Sequence, residues 1–246
     1  MNKLFFTPSE DLQIGNKIKI TGEDFRHLQV LRVQAGDEIK ISDGQSCCYS
    51  GNVSDFGRDY ISVSLNKKIP FSSEPEIKIT LLQSLLKGEK NDIIIQKAVE
   101  LGAFEIIFFH SKNCVVKLTD DRQNGRIERF NKIAKMAAMQ SGRDIIPIVK
   151  GILNYDEIFP ILNKQELAMV FHEKSQSPLS LFLKDRLIGC HTVAFSIGPE
   201  GGFSEEEISM FKNADIPALS LGKRILRAET APLCALSVIM AYSGEL

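Results

Sequence analysis

Short stretches in which hydrophobic and polar residues alternate, or in which β-branched residues dominate, fill the first seventy positions of this 246-residue chain. Such stretches predict strands, and Gly-Asp, Asp-Gly and Gly-Arg-Asp turns separate them. One helix is expected from about Glu23 to Leu31, with its hydrophobic residues on one face. The pattern favours a small β-barrel over residues 1–70, followed by a linker at Pro70–Pro75. Its predicted strands are Lys17–Ile20, Asp37–Ser42, Cys47–Val53 and Asp59–Leu65.

After residue 70 the pattern changes to apolar strands that alternate with amphipathic helices. Alternation of this kind predicts an α/β domain over residues 71–246, with a mostly parallel sheet covered by helices on both faces. The predicted strands are Ile77–Gln83, Glu105–His110, Ile145–Val149, Leu167–Phe171, Thr192–Ile197 and Ala218–Leu221. The predicted helices are Asn91–Leu101, Arg126–Gln140, Tyr155–Leu162, Glu205–Asn213 and a last one that begins at Thr230, a candidate N-cap followed by Pro232.

Two glycine-containing loops each follow an apolar strand and precede a helix, at Ser196–Glu207 and Leu221–Ala231. Loops at the carboxyl ends of strands are where open α/β sheets bind small molecules. Ser204 and Glu207 have the spacing of a capping box, which predicts that a helix starts there. Because only one strand separates the loops, we expect them to form one pocket. A tight turn that needs glycine only for its geometry is the alternative for the first loop.

Charged residues in the second loop surround an apolar pair, Ile225 and Leu226. The apolar pair suits an adenine pocket, and an arginine suits a phosphate or a base. Alternatively, Lys223 and Arg224 form a solvated turn, and Arg227 and Glu229 form a structural ion pair. Neither loop carries the G-x-G-x-x-G dinucleotide fingerprint or a P-loop. After the first strand of the α/β domain, Lys87 and Lys90 could hold phosphate or simply occupy a surface loop.

Net charge excludes a binder that relies wholly on electrostatic attraction to nucleic acid, since 30 basic residues face 31 acidic ones. The charge is uneven, however, because Lys112–Lys150 holds nine Lys and Arg against four Asp and Glu. The five cysteines show no C-x-x-C spacing, so neither a zinc site nor a disulfide framework is expected. We find no signal-peptide or membrane-spanning pattern and expect a cytoplasmic protein without metal.

Several motifs spread along the chain resemble the RsmE-type ribosomal RNA methyltransferases of the SPOUT superfamily. They are His27–Arg32, Gly36-Asp37, Asp43-Gly44, Lys87-Gly88, Gln96–Gly102, Gln140–Arg143 with Ile146-Pro147, Ile197–Phe203 and Leu221–Ala231. The resemblance implies a PUA-like β-barrel and a SPOUT domain with a deep trefoil knot at about residues 167–235. It also implies S-adenosylmethionine as cofactor, a homodimer, and methylation of N3 of a uridine in 16S rRNA of the small ribosomal subunit. Met139 departs from the family, which often has an acidic residue there.

The same resemblance places the cofactor contacts in three segments of the chain. They are Phe171, His172 and Glu173; Ile197, Gly198, Pro199, Gly201 and Gly202; and Leu221, Gly222, Ile225, Leu226 and Ala228. RNA contacts are expected at Arg26, His27, Arg32, Lys87 and Arg143. His27 could equally pack in the fold, and Arg143 could instead favour the end of its helix through the helix dipole.

For methylation of uridine N3, chemical reasoning suggests three candidate catalytic residues. Arg227 would stabilise negative charge on the base, and Glu200 or Glu229 would take the N3 proton. Two other interpretations stay open at this point: a SPOUT methyltransferase for another RNA nucleotide, and a non-catalytic RNA-binding assembly factor. A nicotinamide-dependent oxidoreductase is opposed by the missing fingerprint.

Overall fold

The first compact unit contains a curled five-stranded sheet. The computed structural model describes residues 4–71, 73–116 and 120–246, so Ser72 of the predicted linker and Lys117 of the basic stretch lie outside the described residues. The strands are β1 (Leu4–Phe6), β2 (Lys17–Thr21), β3 (Glu38–Ser42), β4 (Cys48–Phe56) and β5 (Tyr60–Ile69), in the order β1-β3-β4-β5-β2. Only the β1–β3 pair is parallel among these pairings. Helix α1 (Gly22–Val30) follows β2, and Ser9–Asp11 forms a 3-10 turn.

Alternating apolar residues of these strands build the core of this unit, with Ile39, Ile41, Ile61 and Val63 almost fully buried. Four predicted strands and one predicted helix are found here. The short strand β1 was not predicted. Three residues are too few for a period-2 pattern to be recognised.

Residues 138–146 also belong to the first unit, although they are distant in sequence from its strands. Met139 is 5% exposed and packs in the same hydrophobic core. Arg143 is 4% exposed, and its guanidinium donates to the Glu74 carboxylate at 2.6 Å. The buried carboxylate of Asp144 pairs with Lys40, and the Asp144 carbonyl accepts a hydrogen bond from Ser42 at 2.7 Å. Buried ionic pairs and apolar packing therefore hold this segment.

The second unit contains a six-stranded sheet in which every strand pair is parallel. Its strands are β6 (Lys78–Ser84), β7 (Glu105–His110), β8 (Ile148–Asn154), β9 (Leu167–Phe171), β10 (Thr192–Ile197) and β11 (Ala218–Leu219), in the order β11-β9-β10-β6-β7-β8. β6 and β10 lie side by side in the middle, with Gln83 opposite Ile197. Their carboxyl ends therefore reach the same edge of the sheet.

Helices connect the parallel strands, as a parallel sheet requires. These helices are α2 (Lys90–Glu100), α3 (Asp120–Ser141), α4 (Phe159–Leu162), α5 (Leu179–Arg186) and α6 (Glu205–Asn213), and a last helix, α7 (Ala231–Ser243), follows β11. One hydrophobic cluster of this unit joins Leu82, Phe109, Val170 and Ala194 of the sheet to Phe211 of α6. In the part of the chain that the structure describes, no helix combines the length and the apolar character needed to cross a membrane.

Two element predictions are corrected, and one helix was not predicted. The strand predicted at Ile145–Val149 begins only at Ile148, because Ile146 donates its N–H to Gly44 in the first unit. The single helix predicted at Tyr155–Leu162 is a 3-10 turn at Tyr155–Ile158 followed by α4. Thr230 is the N-cap residue of α7 and Pro232 lies in its first turn, as predicted, although the Thr230 side chain makes no capping hydrogen bond. Helix α5 was not predicted, because four of the five residues at 179–183 are apolar and obscure its helical period.

Candidate active site

A cleft of about 550 Å³ opens at the carboxyl edge of the parallel sheet. The segments that follow β9, β10 and β11 line it, together with the start of α7. Its walls include every residue predicted to contact a cofactor or to act in catalysis. These are Phe171, His172, Glu173, Ile197, Gly198, Pro199, Glu200, Gly201, Gly202, Leu221, Gly222, Ile225, Leu226, Arg227, Ala228 and Glu229. The structure thus brings the two loops together in one cavity, whereas the role of each residue stays a prediction.

The first loop needs glycine at two positions for different reasons. A Cβ at Gly198 would stand 3.1 Å from the Phe203 ring, which is closer than ordinary packing allows. Gly202 has φ +67°, in the left-handed region, and a Cβ there would approach the Glu173 carboxylate to 3.3 Å. Asn113, in the loop after β7, donates to the Gly202 carbonyl at 3.1 Å. The main chain is therefore held close to its neighbours around the cleft.

The predicted capping box is present where this loop enters α6. Ser204 N–H donates to Glu207 Oε2 at 2.8 Å, and Glu207 N–H donates to Ser204 Oγ at 3.3 Å. Glu207 is only 5% exposed, and its Oε1 also accepts from the Lys112 N–H at 2.8 Å. Because one carboxylate bonds to both loops, it fixes the segment after β7 against the segment after β10. Spacing predicted the cap but not this second contact.

The second loop is fixed by backbone hydrogen bonds to the segment that follows β9. His172 N–H donates to the Leu219 carbonyl at 3.0 Å, and Ser220 N–H donates to the Ser177 carbonyl at 2.8 Å. Beyond them the loop projects its side chains outward, so that Ile225 is 83% exposed and Arg227 is also exposed. The Arg227 carbonyl accepts hydrogen bonds from the N–H groups of Thr230 and Ala231, where α7 begins. The loop therefore presents an apolar side chain and a guanidinium to whatever enters the cleft.

Lys90 lies between the two candidate carboxylates of the cleft. Its Nζ is 3.0 Å from Glu200 Oε1 and 3.6 Å from Glu229 Oε2, and the Lys87 N–H donates to the same Glu200 oxygen at 3.3 Å. The hydrogen bond with Glu200 raises the pKa of Lys90 above its ordinary value. Lys90 thus connects the loop after β10 with the loop after β11. From the sequence, Lys90 was expected to hold phosphate or to occupy a surface loop, so this pairing with two carboxylates was not predicted.

The two carboxylates, Glu200 and Glu229, differ in their hydrogen-bond partners. Burial alone would raise the pKa of Glu200, but the hydrogen bonds from Lys90 and from Lys87 N–H outweigh it and hold this pKa below its ordinary value. A carboxylate that is stabilised as an anion is a weak proton acceptor. Glu229 Oε2 is buried and has no hydrogen-bond partner among the residues that the structure describes. The alternative of an Arg227–Glu229 ion pair is not found there either, since Glu229 faces Lys90.

The residues predicted to contact RNA divide into two groups. Arg26, His27, Arg32 and Lys87 are exposed and therefore accessible. Arg143 is buried against Glu74, so its guanidinium already has a partner and the structure does not support its prediction as an RNA contact. In residues 4–71, 73–116 and 120–246, no group of three or more His, Cys, Asp or Glu residues is placed to hold a metal ion.

Comparison with known proteins first defines the class. A family model described as an RNA methyltransferase domain matches residues 73–240, and one described as an RNA methyltransferase PUA domain matches residues 20–65. With the α/β cleft and the curled N-terminal sheet, these matches define an RNA methyltransferase that carries a PUA domain.

Individual relatives define the family. The ribosomal RNA small subunit methyltransferase E of Bacillus subtilis (strain 168) is 35% identical over 96% of this chain and 94% of its own length. The crystal structure of a ribosomal RNA small subunit methyltransferase E from Neisseria gonorrhoeae, bound to S-adenosyl methionine, is 30% identical with a TM-score of 0.85, over 98% of each chain. A Legionella pneumophila methyltransferase in complex with the same cofactor is 28% identical with a TM-score of 0.86, over 98% of each chain. The chain belongs to the ribosomal RNA small subunit methyltransferase E family, which confirms the resemblance inferred from its motifs.

Proposed function

We propose that this protein transfers a methyl group from S-adenosylmethionine to N3 of a uridine in the 16S rRNA of the small ribosomal subunit. One observation carries the proposal: two loops at the carboxyl edge of a parallel sheet form a single cleft that contains all sixteen predicted cofactor and catalytic residues. The names of the relatives support the rRNA substrate and the cofactor. The choice of uridine N3 follows from the resemblance of the sequence motifs.

The cleft fits S-adenosylmethionine in size and in chemistry. Its volume of about 550 Å³ lies in the range of small-molecule pockets. Phe171, Ile225 and Leu226 offer apolar contacts for a purine, while the main chain at Gly198 and Gly202 can approach a ligand without steric hindrance. Glu173 adds an exposed carboxylate for hydroxyl groups. When bound, the cofactor supplies an electrophilic methyl group, which needs alignment more than further activation.

Arg227 and Glu229 have the properties that methylation of uridine N3 requires. Uridine N3 keeps its proton at neutral pH, so the proton must be removed and the resulting negative charge stabilised. The exposed Arg227 guanidinium on the cleft wall would stabilise that charge by charge-assisted hydrogen bonds. Glu229, whose Oε2 lacks a hydrogen-bond donor among the described residues, would accept the proton. Glu200, an anion stabilised by Lys90, would instead maintain the shape of the loop.

RNA binding would use the PUA-like sheet, through Arg26, His27 and Arg32, together with Lys87 beside the cleft. Contacts to phosphates would dominate, so we expect the affinity for RNA to fall steeply with salt. The proposal includes the domain division at residue 70, the trefoil knot at residues 167–235, the homodimer and the cytoplasmic location that the sequence implied.

Methylation of 16S rRNA tests the proposal directly. Mass spectrometry of 16S rRNA from cells that lack the protein should reveal one uridine without its N3 methyl group, and the wild-type gene should restore it. The variant Arg227→Ala should fail to restore the methyl group although it folds and binds S-adenosylmethionine. Full methylation by this variant would remove Arg227 from the mechanism. Unchanged 16S rRNA in the deletion strain, or no cofactor binding by calorimetry, would refute the enzyme assignment.

A further inference from the structure

Two arginines on helix α3 share one aromatic ring. The Arg126 guanidinium lies 5.6 Å from the centre of the Phe130 ring, and that of Arg129 lies 5.7 Å from it. Phe130 is fully buried and packs against Phe108 of β7 at 4.8 Å between ring centres. The ring therefore holds both cations at a defined place next to the central sheet.

Among the side chains that the structure describes, only Arg129 of these two arginines has a carboxylate partner. Arg129 binds Asp92 of α2 through two hydrogen bonds, of 2.7 and 2.8 Å, which use both carboxylate oxygens. Arg126 is half-buried and forms no ion pair within the described part of the chain. Its burial, followed by the charge of Arg129, lowers the pKa of Arg126 below its ordinary value, although the charge of Asp92 acts in the opposite direction. A half-buried cation beside a second cation is a favourable place for an anion.

Arg126 also lies at the same edge of the sheet as the cleft. The neighbouring Arg129 binds Asp92 in the first turn of α2, two residues from Lys90 on the cleft wall. Burial raises the pKa of the Cys114 thiol, the charge of Glu200 also raises it, and the charge of Arg126 lowers it. Cys114 donates to the Leu85 carbonyl at 3.1 Å, so this thiol sits between the segments that follow β6 and β7. The loop that carries Cys114 also contacts the loop after β10, because Asn113 donates to the Gly202 carbonyl. These contacts place Arg126 near the loop after β7, which holds the cleft-lining loop after β10 through Asn113.

We propose that Arg126, supported by Arg129, binds a backbone phosphate of the substrate RNA beside the nucleotide that enters the cleft. The planar guanidinium of Arg126 can donate two parallel hydrogen bonds to one phosphate. The Phe130 ring positions the guanidinium of Arg126, and the hydrogen bonds with Asp92 fix the neighbouring guanidinium of Arg129. This inference rests on the proposed function, since it assigns one contact of the RNA substrate. It differs from the contacts at Arg26, His27, Arg32 and Lys87.

RNA-binding measurements at several salt concentrations test the site. The variant Arg126→Met keeps an unbranched side chain over Phe130 but removes the charge. With unmethylated 16S rRNA, we expect its dissociation constant to rise by about five- to tenfold at 0.1 M salt, and the salt dependence to fall by about one phosphate contact. Arg126→Lys should recover part of the affinity. Arg186→Met, on the exposed part of α5, is the matched control and should bind like the wild type.

The outcomes separate this inference from the proposed function. Affinity for S-adenosylmethionine should be unchanged in Arg126→Met, which distinguishes a phosphate contact from a distorted cleft. An Arg126→Met protein with wild-type affinity and wild-type salt dependence would overturn the phosphate site even if methylation is confirmed. If the wild type binds RNA through Arg126 but transfers no methyl group, the site stands and the proposed reaction fails. Should Arg126→Met not fold, Arg126→Gln provides the same test.

Discussion

Replacing Lys90 by methionine would remove the cation that connects the two loops of the cleft. In the wild type this ammonium pairs with Glu200 at 3.0 Å and with Glu229 at 3.6 Å. Methionine has a similar length and fits helix α2, so the substitution removes charge with little change in packing. The two carboxylates would then face each other without a counter-charge. We expect the loops after β10 and β11 to separate more easily in this variant.

The size of the effect follows from the exposure of the pair. A hydrogen bond between charged groups contributes about 1.5–3 kcal/mol when it is well buried. The side chains of Lys90 and Glu200 are 34% and 31% exposed, so solvent screening reduces this to about 1 kcal/mol. The longer contact to Glu229 adds a smaller amount. Because cofactor binding needs both loops in place, we expect the dissociation constant for S-adenosylmethionine to rise by about five- to tenfold.

The effect of Lys90→Met should also depend on pH. Since the pKa of Glu200 is lowered in the folded protein, its contribution to stability is present above its ordinary value of 4.5 and is lost as the pH falls through the folded-state pKa. The raised pKa of Lys90 gives a contribution that is present below 10.5 and lost at higher pH. The variant should therefore differ from the wild type most between these limits. Below the folded-state pKa of Glu200 the two proteins should become alike.

Isothermal titration with S-adenosylmethionine at neutral pH measures the first effect, and thermal unfolding from neutral pH to well below 4.5, the ordinary pKa of a glutamate, measures the second. Lys97→Met is the matched control, because it removes a lysine of the same helix that pairs with Glu100 at 2.8 Å away from the cleft. Cofactor affinity in Lys90→Met that matches Lys97→Met would show that the pairing does not hold the loops. A difference in stability that persists unchanged at low pH would refute the role of Glu200.

Two further substitutions test the fold around the functional residues. Glu74→Gln leaves the buried guanidinium of Arg143 without its carboxylate and should lower the free energy of unfolding by about 3 kcal/mol, measured by denaturant titration. The exposed Glu23→Gln should change it by less than about 0.5 kcal/mol, and equal effects of the two would contradict the buried pair. Ser204→Ala removes the N-cap of α6 and should lower the free energy of unfolding by about 1 kcal/mol. Ser209→Ala, on the same helix, is the control and should lower it by less. The reverse order would show that the cap does not stabilise α6.

Much of the α/β unit could be predicted because its strands are uniformly apolar and its helices begin with recognisable signals. The bounds of β7, β9, β10 and α6 agree with prediction to the residue. The cleft could be predicted too, since consecutive parallel strands must end at one edge of the sheet. The residues 138–146 could not, because nothing local distinguishes a helix end that packs in one unit from one that packs in the other. Their buried pairs, such as Arg143 with Glu74, join positions 69 residues apart.

The ion pairs of Glu200 and Glu229 with Lys90 explain why the roles proposed for these two carboxylates could not be predicted from the sequence. Glu200 and Glu229 are equivalent in sequence, as both are carboxylates in loops that follow apolar strands. Lys90, more than a hundred residues before either of them, donates to Glu200 at hydrogen-bond distance and leaves the buried Glu229 Oε2 beyond it. The hydrogen bond from Lys90 stabilises Glu200 as an anion, while Glu229 Oε2, in a longer ion pair with the same lysine, has no hydrogen-bond donor among the described residues. A single lysine at the start of α2 thus contacts two carboxylates at different distances, and we propose that Glu200 has a structural role and Glu229 a chemical one.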